Sequence, residues 1–149
     1  MDGVLTDGGF WWGPNGEEWK RFTFADIMGI SLAHKAGLIV GLISGEDTPL
    51  IDRYASKMGI TDVWKGMKDK APALQEFAAR RGLDLSAICF MGDDVNDLAA
   101  MRVAGFSAAP SNARPAVLKS VSFISSYPGG NGAVRDLIDH ILAARENAA

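Results

Sequence analysis

Short runs of consecutive apolar residues alternate along this chain with longer stretches whose apolar positions recur three and four residues apart. The runs are GLIVGLIS (37–44), AICFM (87–91), GFSAAP (105–110) and VSFIS (121–125). Being apolar at neighbouring positions, they predict strands buried on both faces. The stretches 26–37, 48–59, 70–82 and 96–105 have helical spacing and each ends at a glycine, so they predict four helices. A fifth helix, GAVRDLIDHILAARENAA, runs to the last residue. Thr48 followed by Pro49 marks a helix start, with a capping hydroxyl and a proline at the first helical position. Strand–helix alternation predicts an α/β fold: one domain over 1–149, built as a parallel sheet with helices on both faces.

The segment GGFWWGPNGEEWKRFTF (8–24) breaks this rhythm. Aromatic and β-favouring residues flank the turn signal GPNG, which predicts a β-hairpin inserted over about residues 9–24. Trp11, Trp12 and Trp19 on such a hairpin make an apolar patch that needs covering, either by the chain's own core or, as we expect, by another subunit.

Composition narrows the class. Hydrophobic residues at 48% with 22% charged describe a folded globular chain rather than a disordered one. A net charge of −3 without a basic stripe argues against nucleic acid as a partner. No apolar stretch reaches the length of a membrane span, and no secretory leader is visible, so a cytoplasmic location is expected. The single cysteine, Cys89, lies in an apolar run and reads as buried and unreactive.

The candidate chemistry collects at predicted strand ends, where open α/β sheets bind ligands. CFMGDDVND (89–97) delivers Asp93, Asp94 and Asp97 just after a strand. Carboxylates crowded there repel one another, so a cation is their natural partner, although one of them can serve as a helix cap instead. Oxygen ligands with room for water suit Mg²⁺ better than zinc. The opening MDGVLTDGG adds Asp2 and Asp7; LISGED adds the Ser44 hydroxyl and the Gly45 amide, a pair able to hold a phosphate oxygen. KGMKDK supplies Lys65, Lys68 and Lys70, one of which could neutralise phosphate and carboxylate charge. Together these residue types describe a phosphoryl-transfer site.

In DGVLTDG, SGE, the lysine of KDK, GDDVND and GGNGAVRDL, in that order, the chain resembles the haloacid dehalogenase superfamily over essentially its whole length. Within that superfamily it is similar to the capless phosphatases of sugar acids, of the 3-deoxy-octulosonate 8-phosphate and 2-keto-3-deoxynononate 9-phosphate types. The resemblance implies a Rossmann-like fold, Mg²⁺ as cofactor, a phosphorylated sugar acid as substrate and a homotetramer with the hairpin at the subunit contact. It implies that Asp2 is the general acid/base and binds the metal through its carbonyl, and that Ser44 holds phosphate. Lys70 would steady phosphate and nucleophile, and Asp93 would bind metal with Asp94 and Asp97 in support.

The same resemblance places the nucleophilic aspartate two positions before Asp2, immediately ahead of Met1. The chain as given then carries a truncated first strand, and its turnover should be impaired. Two explanations stand: a shortened form of an enzyme, or an inactive relative that kept the scaffold for ligand binding or assembly. A receiver-type signalling domain shares the acidic loops and a lysine but fits the hairpin poorly. Glu46 stands where the octulosonate enzymes carry arginine, which resembles the nononate and sialate branch. Lys57 could pair with Glu46 or bind a substrate carboxylate, and Tyr54 stands where an arginine is expected in that branch.

Overall fold

The computed structural model describes residues 1–148. The predicted hairpin forms: β1 (Trp11–Trp12) pairs antiparallel with β2 (Glu18–Trp19), Trp11 opposite Trp19. The chain then alternates through α1 (Phe24–Lys35), β3 (Gly41–Ile43), α2 (Pro49–Met58), β4 (Asp62–Trp64), α3 (Ala71–Arg81), β5 (Cys89–Met91), α4 (Leu98–Val103), β6 (Phe106–Ala109), α5 (Pro115–Leu118), β7 (Phe123–Ile124) and α6 (Ala133–Ala148). Beyond the hairpin every strand pairing is parallel, as the alternation predicts. Thr48 caps α2 by accepting from the Leu50 amide at 3.1 Å, ahead of Pro49. No helix among the described residues is long and apolar enough to cross a membrane.

The sheet comes in two pieces, β3–β4 and β5–β6–β7, with no ladder between β3 and β5. That explains a difference from the sequence reading. The run 37–44 forms only three residues of strand, and Ile39, expected in the core, is 47% exposed. A strand gains its regular form from ladder hydrogen bonds, and here half of those partners are missing. Strand β4 was not evident in the sequence because Asp62 interrupts its apolar character. Its carboxylate is buried nevertheless, held by the Arg81 guanidinium and lying 3.6 Å from that of Arg80. The short α5 also went unpredicted, since four residues carry too little periodicity.

Two apolar clusters fill the interior, one around Leu74, Phe77, Phe90 and Met101, the other around Ile30, Leu42, Ile51 and Ile138. Tyr54 belongs to the second. Its ring lies 4.6 Å from that of Phe22 and only 4% of it is exposed, so it takes no place in a ligand site. Burial, with the Asp26 charge nearby, pushes its phenol pKa up.

Asp26 ties the two terminal helices together. It is 1% exposed, yet its carboxylate accepts from Thr23 Oγ1 at 2.8 Å, the Arg135 amide at 3.1 Å and the Gly132 amide at 3.3 Å. One side chain thereby satisfies free amides at the start of α6 while holding the cap of α1. Asp26→Ala should destabilise the protein by about 2–3 kcal/mol, because several buried donors lose their acceptor at once. Denaturant unfolding measures this, and a loss under about 0.5 kcal/mol would show that water replaces the carboxylate.

Candidate active site

Five loops meet in one cleft of about 510 Å³ at the carboxyl ends of the strands. The opening turn brings Asp2, Gly3 and Asp7; the end of β3 brings Ser44, Gly45 and Glu46; the start of α3 brings Lys70. The loop after β5 contributes Asp93, Asp94 and Asn96, and that after β6 contributes Asn112 and Arg114. Residues far apart in sequence converge because parallel strands all present their carboxyl ends on one edge.

Asp97 is the anchor beneath the cleft. One carboxylate oxygen meets Lys70 Nζ at 2.5 Å, with both side chains nearly fully buried. The other oxygen accepts from the amides of Asp93 at 2.8 Å and Asp94 at 3.2 Å. Both oxygens are engaged, so Asp97 orders Lys70 and the loop beneath the cleft. Asp94 caps the turn at Val95–Asp97 by accepting from the Val95 amide at 2.7 Å, the capping role anticipated for one aspartate of this run. Gly92 is required here: a Cβ would stand 2.5 Å from atoms of Asp97.

Asp93 is left pointing into the cleft. Burial, and then the charge of Asp97, push its pKa up to about 6. A Cβ on Gly3 would lie 2.0 Å from Asp93 Oδ2, so this carboxylate rests against the backbone of the Asp2–Gly3 turn. Among the described residues no three His, Cys, Asp or Glu side chains form a metal cage. The donor set instead suits a hard ion that takes one carboxylate and a backbone oxygen of that turn and keeps its waters, which is the habit of Mg²⁺. A carboxylate raised by burial and by its neighbour's charge gains from such a cation.

Ser44 is buried at the end of β3, its amide donating to the Trp64 carbonyl at 2.9 Å and its Oγ accepting from the Glu46 amide at 3.3 Å. Glu46 lines the cleft, but Lys57 does not. The Glu46–Lys57 pair that the sequence allowed does not form among the described residues: Lys57 sits in the last turn of α2, nine residues beyond its cap and thus about 13 Å along the helix from the strand edge. Lys65 pairs with Asp47 and Asp52 at the surface. Cys89 is half-buried, its thiol pushed up to about 12 by burial, in keeping with an unreactive side chain.

Three residues escaped the sequence reading. Lys20, at the base of the hairpin, meets the Asp2 carboxylate at 2.9 Å with 6% of its side chain exposed. Its position in WKRFTF gives no sign of this, since the contact depends on how the hairpin folds back. Asn112 and Arg114 follow β6 in SNARP, and the strand-end rule could have found them had that loop carried a carboxylate. Arg114 donates its amide to the Asp93 carbonyl at 2.9 Å, and its guanidinium lies 3.7 Å from Asp94.

Mg²⁺ binding should depend on pH through Asp93. Its folded pKa lies above the unfolded value, so protonation as pH falls through about 6 relieves a charge that opposes folding and neutralises the carboxylate that faces the cleft. Affinity measured by calorimetry should be level above pH 7 and fall about tenfold per unit below pH 6. Asp93→Asn should weaken binding strongly at all pH values, whereas Asp97→Asn should act more weakly through loop order. Equal losses in both variants would contradict these roles.

The comparisons with known proteins agree with this geometry. The family model described as haloacid dehalogenase-like hydrolase matches residues 33–137. The 3-deoxy-D-manno-octulosonate 8-phosphate phosphatase of Yersinia pestis is 34% identical over 146 residues, covering 98% of this chain and 78% of that protein. Its crystal structure superposes with a TM-score of 0.96 over 98% of this chain and 79% of the other. The Moraxella catarrhalis phosphatase of the same description, solved with magnesium, phosphate and KDO, is 35% identical with a TM-score of 0.95, covering 99% of this chain and 84% of its own. Sequence and backbone thus converge on one conclusion: the chain belongs to the haloacid dehalogenase-like hydrolases.

Proposed function

We propose that the protein is a cytoplasmic, Mg²⁺-dependent phosphatase of phosphorylated 2-keto-3-deoxy sugar acids. The observation that carries this reading is the convergence of Asp2, Ser44, Lys70 and Asp93 in one cleft. Ser44 Oγ and the Gly45 amide suit two oxygens of a phosphoryl group, and Lys70 offsets its charge. A carboxylate immediately ahead of Met1 would attack phosphorus as the bond to the sugar oxygen breaks. Asp2, held by Lys20, would give that oxygen a proton and then take one from the water that hydrolyses the acyl phosphate. Bound at Asp93, Mg²⁺ would supply neutralisation of the phosphoryl and carboxylate charge.

The relatives support the substrate class, because the matched Yersinia pestis and Escherichia coli proteins are phosphatases of 3-deoxy-D-manno-octulosonate 8-phosphate. Glu46 in the cleft favours a second reading within that class, a nononate or sialate 9-phosphate. Phosphate release from the two substrates separates them, using a form that carries an aspartate-terminated strand ahead of Met1. That form should exceed the chain starting at Met1 by about 10⁴-fold or more in turnover, the scale of losing a nucleophile. Robust turnover by the Met1 form, abolished by Asp2→Asn, would show that another group attacks.

The hairpin suggests the assembly. Trp11, Trp12 and Trp19 are 54%, 74% and 55% exposed, a patch that the chain's own core leaves uncovered. We assign it to the contact of a homotetramer. Trp11→Ser with Trp12→Ser should dissociate that tetramer, since buried aromatic side chains dominate interface energy. Light scattering that finds the parent protein monomeric would exclude the assignment.

A further inference from the structure

A phosphorylated sugar acid is negative at two places, its phosphate and its carboxylate, and a site for it has to hold both. The cleft is poorly supplied for that. Five carboxylates line it, against two basic side chains, Lys70 and Arg114. Lys70 is buried against Asp97 at 2.5 Å and, with a cation on Asp93, serves the phosphoryl end. A second anion placed among the remaining carboxylates would be repelled unless it had a cation of its own.

Arg114 supplies that cation. Its side chain is 71% exposed, and its one carboxylate contact among the described residues, Nε to Asp94, is 3.7 Å long. An ion pair so long and so open to solvent contributes little, so holding Asp94 does not account for the arginine. The guanidinium keeps its donors free at the cleft wall.

The backbone beneath it is fixed. The Ser111 amide donates to the Tyr127 carbonyl at 3.0 Å, and the Ala113 amide to the Pro110 carbonyl at 3.1 Å. Asn112 Oδ1 accepts from the Gly129 amide at 2.9 Å. The Arg114 amide donates to the Asp93 carbonyl at 2.9 Å, which ties this loop to the residue that faces the phosphoryl end. A pinned loop carrying an unengaged charged side chain is suited to contact with a ligand. The cleft, at about 510 Å³, has the size of sites that enclose a whole small molecule.

We infer that Arg114 binds the carboxylate of the sugar acid and sets the preference for acids over neutral sugar phosphates. The planar guanidinium gives a carboxylate two parallel hydrogen bonds, which a single hydroxyl cannot accept. The inference rests on the function proposed above. It holds equally for octulosonates and nononates, because both carry the group.

The test is calorimetric binding to the 149-residue protein in saturating Mg²⁺. The two ligands are 3-deoxy-D-manno-octulosonate 8-phosphate and its C1 carboxamide, which has the same shape without the charge. The parent should bind the acid about tenfold or more tightly than the amide. Arg114→Gln should bring that ratio close to one by weakening the acid far more than the amide. Arg114→Lys, which keeps the charge but loses the fork, should fall between. Lys119→Gln removes the same charge from an exposed residue outside the cleft and should keep the parent's ratio. Unfolding temperatures equal to the parent's verify that the variants fold. A preference that survives Arg114→Gln overturns the inference, as does an equal loss of both ligands, which would place the arginine on the phosphoryl group. A parent that binds both ligands alike also overturns it, yet leaves the phosphatase reading standing. A parent that binds neither counts against that reading itself, and the inference falls with it.

Discussion

The site depends on one buried ion pair. Lys70 and Asp97 meet where neither is solvated, and removing either partner would strand the other's charge at a cost of several kcal/mol. The pair therefore constrains everything attached to it. Lys70 stands at the start of α3 and Asp97 at the start of α4, so the ion pair fixes two helices against each other. The second oxygen of Asp97 carries that rigidity to the amides of Asp93 and Asp94. Asp93 is consequently held with its carboxylate free and its charge unsatisfied. Such a group is poised for a cation because its neighbours have already used the other donors.

A second constraint is topological. Parallel strands need crossovers, and the crossovers here leave β3 and β5 on opposite sides of a gap. Where the two pieces diverge, a crevice opens for ligand at the strand ends. That crevice collects carboxylates, lysine and serine from loops far apart in the sequence.

Much of this was legible in the sequence because it depends on local pattern. The hairpin followed from GPNG between aromatic residues, α2 from Thr48–Pro49, and the cleft from the placement of Ser44, Lys70 and Asp93 at strand ends. What escaped depends on contacts between distant segments. Lys20 reaches Asp2 only through the fold of the hairpin, and β4 hides a carboxylate whose arginine partners lie on α3. Lys57 failed as a cleft residue for a geometric reason: being near Glu46 in sequence does not overcome the length of the helix between them. Ile39 stayed exposed because the reading of a doubly buried strand assumes neighbours on both edges.

The cleft is shaped to receive a phosphoryl group between Ser44, Lys70 and Asp93. A crystal of the protein soaked with Mg²⁺ and tungstate, a heavy mimic of phosphate, tests it most directly. Anomalous density for tungsten is expected within hydrogen-bonding reach of Ser44 Oγ and Lys70 Nζ, lost on Ser44→Ala. Tungsten bound elsewhere on the surface, with the cleft empty at saturating concentration, would contradict it.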